Sequence, residues 1–339
     1  MRHIFFGNSA NLSSFKVIIR LVFLFVGVVI GAGFATGSEI MLYFKNCGYL
    51  SVLFAGVIIG LLCVFFCYFG KLQNKIKFVK KLMKIVVFLS SVVTYCVMLS
   101  AVSELIETQF GIKYFGIFTA FIVAILMLYD MRIIKLLNLI IVPLIMALML
   151  VILIIGKGEI YSGFNPLQSI LYAGMNMLLG GYFMSEEGAK LSNNQIAYIG
   201  VLVTIVMGSL MSICYVISMQ AFSASMPVFE VARSYGLGVL ATVVVYLAIF
   251  TTLIGSGKAF ADMIFAFVPN KFIIFVLCFV LGFYFDGTDF SSLVSFSYSQ
   301  IGKIGFVICI IVILSVLCNY SQMLLAKNKI KKLELHQPK

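Results

Sequence analysis

Apolar positions in this chain come in long uninterrupted runs rather than in the alternating pattern of a half-buried strand. The runs cover residues 17–44, 50–70, 84–106, 114–129, 133–155, 167–189, 196–219, 236–266, 271–285 and 300–326. Crossing a hydrocarbon layer of about 30 Å takes about 20 helical residues, so most of these runs are long enough to span a bilayer. Strands of a membrane barrel would be about half as long and would alternate polar with apolar. The pattern therefore predicts an all-α integral membrane protein of about ten transmembrane helices. The run 236–266 is long and 271–285 short, so the division between the eighth and ninth helices is the least sharply drawn.

Composition agrees, since 63% of the 339 residues are apolar and 11% are charged. A mean hydropathy of +1.15 excludes a water-soluble globular domain. The formal charge of +12 does not form a nucleic-acid footprint, because the basic residues sit between apolar runs. Lys71, Lys75, Lys77, Lys80, Lys81 and Lys84 share one loop, and Lys327, Lys329, Lys331, Lys332 and Lys339 share the tail. With the N-terminus inside, 19 of the 24 Lys and Arg fall on cytoplasmic flanks, Arg132 and Lys135 among them. Lys45, Lys113, Lys157, Arg233 and Lys303 fall outside. That bias predicts a multi-pass plasma-membrane protein with both termini cytoplasmic and its basic loops against anionic lipid headgroups, and no nucleic-acid partner.

Two segments repeat. Gly31-Ala-Gly-Phe-Ala-Thr-Gly-Ser-Glu39 in the first helix and Gly180-Gly-Tyr-Phe-Met-Ser-Glu-Glu187 in the sixth share one order. Each has a glycine, an aromatic, a small residue four after the glycine and an acid six after it, at an offset of 148 residues from Gly33 to Gly181. The same offset carries the second helix onto the seventh. Five crossings separate the copies, so they enter the bilayer from opposite sides, as in a five-plus-five inverted repeat. The expected organisation is a cytoplasmic arm (1–16), two repeats (17–155 and 156–326) and a basic tail (327–339).

Glycine clusters in mid-membrane have two readings: close helix packing, or unwinding that frees backbone groups to hold a ligand and a cation. Their recurrence at matching depth favours unwinding of helices one and six. Glu39 lies near hydrocarbon, where an acid is a functional candidate as proton carrier or gate. Glu186 and Glu187, beside Lys190, read better as a helix end in headgroup water. Ser90, Ser91, Thr94 and Tyr95 on the third helix, and Thr251, Thr252 and Ser256 on the eighth, can line a pocket or coordinate Na+. They can equally bond to their own helix. Lys258 reads either as a buried fixed counter-ion or as a side chain snorkelling to the interface.

The eight cysteines lack metal-ligand spacing, and Cys63 and Cys67, one turn apart, read as packing. The two histidines, His3 and His336, are terminal, and no nucleophile elbow, serine-lysine pair or phosphate-binding loop occurs. An intramembrane enzyme and an ATP-driven pump are both disfavoured, and no cofactor is expected.

The segment Ile30-Gly-Ala-Gly-Phe-Ala-Thr-Gly-Ser-Glu39 resembles the broken first helix of the amino acid/polyamine/organocation transporters, and the chain looks most like the YkvI-like membrane proteins. The resemblance implies the LeuT-like fold with helices one and six broken and a pocket built from helices one, three, six and eight. It implies a substrate carboxylate or amine near Gly31, Ala32, Gly33, Gly180 and Gly181, with Phe34, Tyr95 and Tyr182 shaping the pocket. It also implies a sodium site using carbonyls of Gly27 and Ile30 with hydroxyls of Thr251, Thr252 or Ser256. Phe34 replaces the asparagine that serves a further sodium in the related symporters, which leaves proton coupling through Glu39 open. The function expected is cation-coupled (Na+ or H+) secondary transport of an amino acid or similar small amine or carboxylate. The alternative is a ligand-sensing receptor subunit of the same fold, of the germinant-receptor kind.

Overall fold

The computed structural model describes the backbone of residues 3–72, 75–127, 131–155, 158 and 160–334, and the side chains of those residues except 3–14, 131–135, 137, 138, 155 and 323–334. The side chains on which the charge expectations at Arg2, Arg132, Lys135, Lys157 and the tail lysines rest, and those of the histidines at 3 and 336, lie outside those described. The first crossing is in three pieces: α1 (His3–Val29), α2 (Ala32–Ala35) and α3 (Ser38–Phe44). Helix α1 begins at His3, well before the expected end of the arm. There follow α4 (Tyr49–Leu72), α5 (Lys77–Phe110), α6 (Phe115–Leu126), α7 (Met131–Ile155), α8 (Pro166–Gly188) and α9 (Asn193–Ser218). A short helix α10 (Pro227–Ser234) precedes α11 (Gly238–Phe267), α12 (Lys271–Phe285) and α13 (Phe290–Glu334). Among the described residues there is no strand, and each expected apolar run is helical; five of the helices are long and apolar enough to cross a membrane, while α6 and α12 are shorter.

Helix ends fall where the sequence supplies caps. The Asn165 side chain accepts the Gln168 N–H and Pro166 occupies the first helical position of α8. Ser192 and Gln195 form a reciprocal capping box at the start of α9. Gly111, left-handed at φ 70°, stops α5.

Packing brings helices from the two parts of the sequence together. Helix α4 lies against α8 and α9, α5 against α11, and α6 against α12. Helix α1 packs on α7 as α8 packs on α13. Lipid supplies no hydrophobic drive to bring helices together, so close approach of backbones matters more than in water. Glycines make that approach. A methyl at Gly174 of α8 would meet the Phe306 backbone nitrogen of α13 at 2.5 Å, and one at Gly56 of α4 would meet the Gly208 Cα of α9 at 2.8 Å. Large apolar side chains such as Leu61, Phe118, Val201 and Phe283 point outward, while Ser51, Ser169 and Thr242 are buried.

Helix one is broken twice. Ile30 and Gly31 leave the helix, Gly31 being extended at φ −97° and ψ −161°, and Gly37 turns left-handed at φ 83°. Helix six is not broken. Helix α8 runs without interruption through Gly180 and Gly181, contrary to the expectation from the repeat. The reason is packing: a methyl at Gly180 would lie 2.6 Å from the Phe25 ring, and one at Gly181 2.5 Å from the Phe66 ring. These two glycines receive aromatic rings from α1 and α4 and leave no room for a ligand.

Two outcomes test this account. Gly305→Ala on α13 places a methyl into the carbonyl of Gly174, backbone that cannot swing aside, and should cost about 1–3 kcal/mol of stability. Thermal denaturation in detergent reads this as a lowered midpoint. Gly37→Ala should lose about 1–2 kcal/mol from its left-handed backbone, and more because its methyl collides with the Ser218 hydroxyl. Adding Ser218→Ala should restore part of that loss, with a coupling of about 1 kcal/mol in a double-mutant cycle.

Candidate functional site

An interruption in mid-membrane must find partners for the backbone groups that the helix no longer pairs. At the break they come from α11. The Thr251 hydroxyl lies 3.1 Å from the Gly27 carbonyl oxygen. The Thr252 hydroxyl lies 3.2 Å from that of Ile30 and 3.5 Å from those of Gly27 and Val28. Thr252 carries one hydroxyl proton for three carbonyl oxygens, and Thr251 also reaches the Ala248 carbonyl of its own helix at 2.9 Å. The cluster is rich in acceptors and poor in donors. Oxygens held about 2.4 Å from a hard cation at right angles lie about 3.4 Å apart, close to these separations.

N–H groups on both sides of the break donate within the protein. Gly31 donates to the Val29 carbonyl at 2.9 Å, and Ala32 to the Met98 sulfur at 3.2 Å. Ala35, Thr36 and Gly37 donate to the carbonyls of Gly31, Ala32 and Phe34.

A cavity of about 40 Å³ opens at Gly31, bounded by α1, α3, α5, α8, α11 and α13. Its polar groups are Glu39, Ser90, Thr94, Asn176, Thr252 and Tyr298; Val29, Leu179 and Ile301 are among its apolar walls. Glu39 is 3% exposed, and its Oε1 has no hydrogen-bond partner. Tyr172 and Asn176 of α8 face the carboxyl group. The Tyr172 hydroxyl is also buried without a partner. Gly33 sits behind Glu39: a methyl there would be 2.9 Å from its Oε2 and 2.9 Å from the Tyr298 ring.

On the side expected to face outward the cavity is closed. The Val228 N–H of α10 donates to the Thr36 carbonyl at 2.8 Å, and Ser38 donates to the Ser225 carbonyl. Glu104 of α5 accepts from Ser225 Oγ at 3.1 Å and from the Phe290 N–H at 3.2 Å. Tyr43 of α3 donates to the Tyr298 carbonyl of α13 at 2.6 Å. On the opposite side, Lys258 pairs with Asp262 at 2.6 Å and Lys190 with Glu187 at 3.9 Å. Lys258 thus stands in a recess with Lys271, away from the threonine cluster.

Of the residues singled out by sequence, Gly27, Ile30, Gly31, Glu39, Thr251 and Thr252 come together here. Ser256 does not, because its hydroxyl donates to the Thr252 carbonyl of its own helix at 2.7 Å. Tyr95 turns toward α12, its hydroxyl 3.5 Å from the Cys278 carbonyl and its ring against Phe260. Tyr182 lines a separate recess with Glu186, Glu187 and Asp262. Gly180 and Gly181 are filled by rings, as described above. Phe34 is buried with its carbonyl accepting from the Cys214 thiol, and Ala32 has its amide on Met98. Asn176, Tyr298 and the Val28 carbonyl belong to the site without having been singled out. Asn176, an amide in the middle of a span of mostly apolar and small residues, carried the signal that would have found it.

No family model matches the chain, and no curated protein matches it. The resemblance to the YkvI-like proteins therefore has no matching family model behind it. Among solved structures the chain is similar to a nucleobase-cation-symport-1 family transporter, solved in a closed conformation with bromovinylhydantoin bound. The identity is 12% and the TM-score 0.56, over 79% of this chain and 70% of that one. At that identity the likeness speaks for the fold, the all-α membrane architecture of the LeuT class.

Proposed function

We propose that the chain is a cation-coupled secondary transporter for a small solute bearing an amine or a carboxylate, of amino-acid size or less. The observation that carries this reading is the break at Ile30–Gly31, where the carbonyl oxygens of Gly27, Val28 and Ile30 and two hydroxyls of α11 converge beside a small polar cavity. Carbonyl oxygens repel one another unless a positive centre lies among them, and a Na+-sized ion supplies one. The fold shared with a cation-symport transporter supports the general class. The bias of basic residues supports a plasma-membrane setting with cytoplasmic termini.

In this reading Thr252 has two duties, because its hydroxyl belongs to the threonine cluster and its side chain also lines the cavity. A bound cation draws α11 and the Ile30–Gly31 strand together, and that strand is one wall of the solute cavity. Occupancy of the first site thereby shapes the second. Alternating access follows if the outer contacts of Val228 with Thr36 and of Ser225 with Ser38 open as the cytoplasmic recesses close.

The test is uptake by purified protein in vesicles carrying an imposed sodium or proton gradient. Accumulation above protein-free vesicles that collapses with the gradient is the expected result. Ligand binding without accumulation would favour the sensing receptor instead. Thr251→Val with Thr252→Val keeps side-chain shape but removes both hydroxyls. It should weaken sodium stimulation of uptake at least tenfold while leaving insertion unchanged, and undiminished stimulation would remove the cluster from the mechanism.

A further inference from the structure

From the charges facing the cavity we infer that its ligand is a small organic ammonium ion without a carboxylate, held by Glu39; this rests on the transporter reading above and narrows its substrate. Glu39 is the acid of the cavity, and among the described lining residues no Lys or Arg accompanies it. The titratable groups that face it are Tyr43 on its own helix, Tyr172 of α8, Cys214 of α9 and Tyr298 of α13. None of them is a cation. A carboxylate buried to this degree needs a positive partner or a proton.

The buried Glu39 Oε1, on the cavity wall, has no hydrogen-bond partner. Such an atom marks the place where a ligand completes the hydrogen bonding. An ammonium group fits there, since it donates to a carboxylate and carries the opposite charge. Tyrosine rings also favour a cation at their faces, and Tyr298 borders the cavity beside Glu39.

A carboxylate ligand finds no equivalent reception. The amides of Gly31, Ala32, Ala35, Thr36 and Gly37 already donate within the protein, and α8 is continuous and so frees none at Gly180 or Gly181. A ligand carboxylate would lie beside a buried acid, with no Lys or Arg among the lining residues to offset the repulsion. Size narrows the class further. The cavity holds about 40 Å³, room for about three water-sized groups at about 10–15 Å³ each, in the closed state described here.

The experiment compares ethylammonium, glycine and acetate, which share a two-carbon frame and differ in charge. Affinity is read by titration calorimetry on the purified full-length protein at fixed, saturating sodium chloride. Ethylammonium should bind at least tenfold more tightly than glycine or acetate. Glu39→Gln should weaken it at least tenfold, and Glu39→Asp, which keeps the charge, should recover part of that loss. Tighter binding of glycine or acetate, ethylammonium binding indifferent to Glu39→Gln, or no binding by any of the three would overturn the inference. The wild-type comparison stands even if a variant fails to fold. Vesicle uptake separates this inference from the transport reading. Sodium-driven accumulation of glycine would sink the ammonium assignment and leave transport standing. Glu39-dependent ethylammonium binding, with no uptake above protein-free vesicles, would do the reverse.

Discussion

A helix can be interrupted inside a bilayer only if something replaces the hydrogen bonds it gives up, because hydrocarbon offers none. Here the replacement is a pair of adjacent threonines on α11 set against the carbonyls of Gly27, Val28 and Ile30. Much of the site depends on that contact. It fixes the extended backbone at Gly31, which opens the cavity, and it restarts the chain as α2. The second turn at Gly37 then sends α3 along a new line that brings Glu39 back beside Gly33. Without α11 against it, the segment would have unsatisfied carbonyls in lipid and every reason to re-form a continuous helix.

The resulting site is lopsided. Broken backbone comes from helix one alone, while helix six contributes side chains from an intact α8: Met175, Asn176 and Leu179. An arrangement symmetric in sequence has been put to asymmetric use. In the first copy the glycines permit extended and left-handed backbone. In the second they admit the rings of Phe25 and Phe66, so that α1 and α4 press closely on α8.

This difference explains what the sequence could and could not reveal. Ten apolar runs, most of bilayer length, left little freedom in the fold, and each became helix. The first break was legible because glycine, an acid and the hydroxyl pair on the eighth helix could serve one another. The sixth helix was misread because Gly180 and Gly181 look the same whether they unwind or pack, and only the rings lying over them decide. Tyr95 was misjudged through rotation: Ser90 and Thr94, four apart, share the cavity face, and Tyr95 stands about 100° further round toward α12. Tyr298 entered the site from a helix for which the repeat offered no functional counterpart. Its place depends on α13 packing against α3 and α8, which no local pattern encodes.

The central claim is that the carbonyls of the broken helix and the hydroxyls of α11 form a cation site. It is tested most directly by high-resolution density maps of the protein prepared in sodium and, separately, in choline. The account predicts a peak in sodium alone, about 2.3–2.6 Å from the carbonyl oxygens of Gly27 and Ile30 and from the Thr251 and Thr252 hydroxyls. Identical maps in both salts, with the hydroxyls still bonded to those carbonyls and no peak between them, would contradict it.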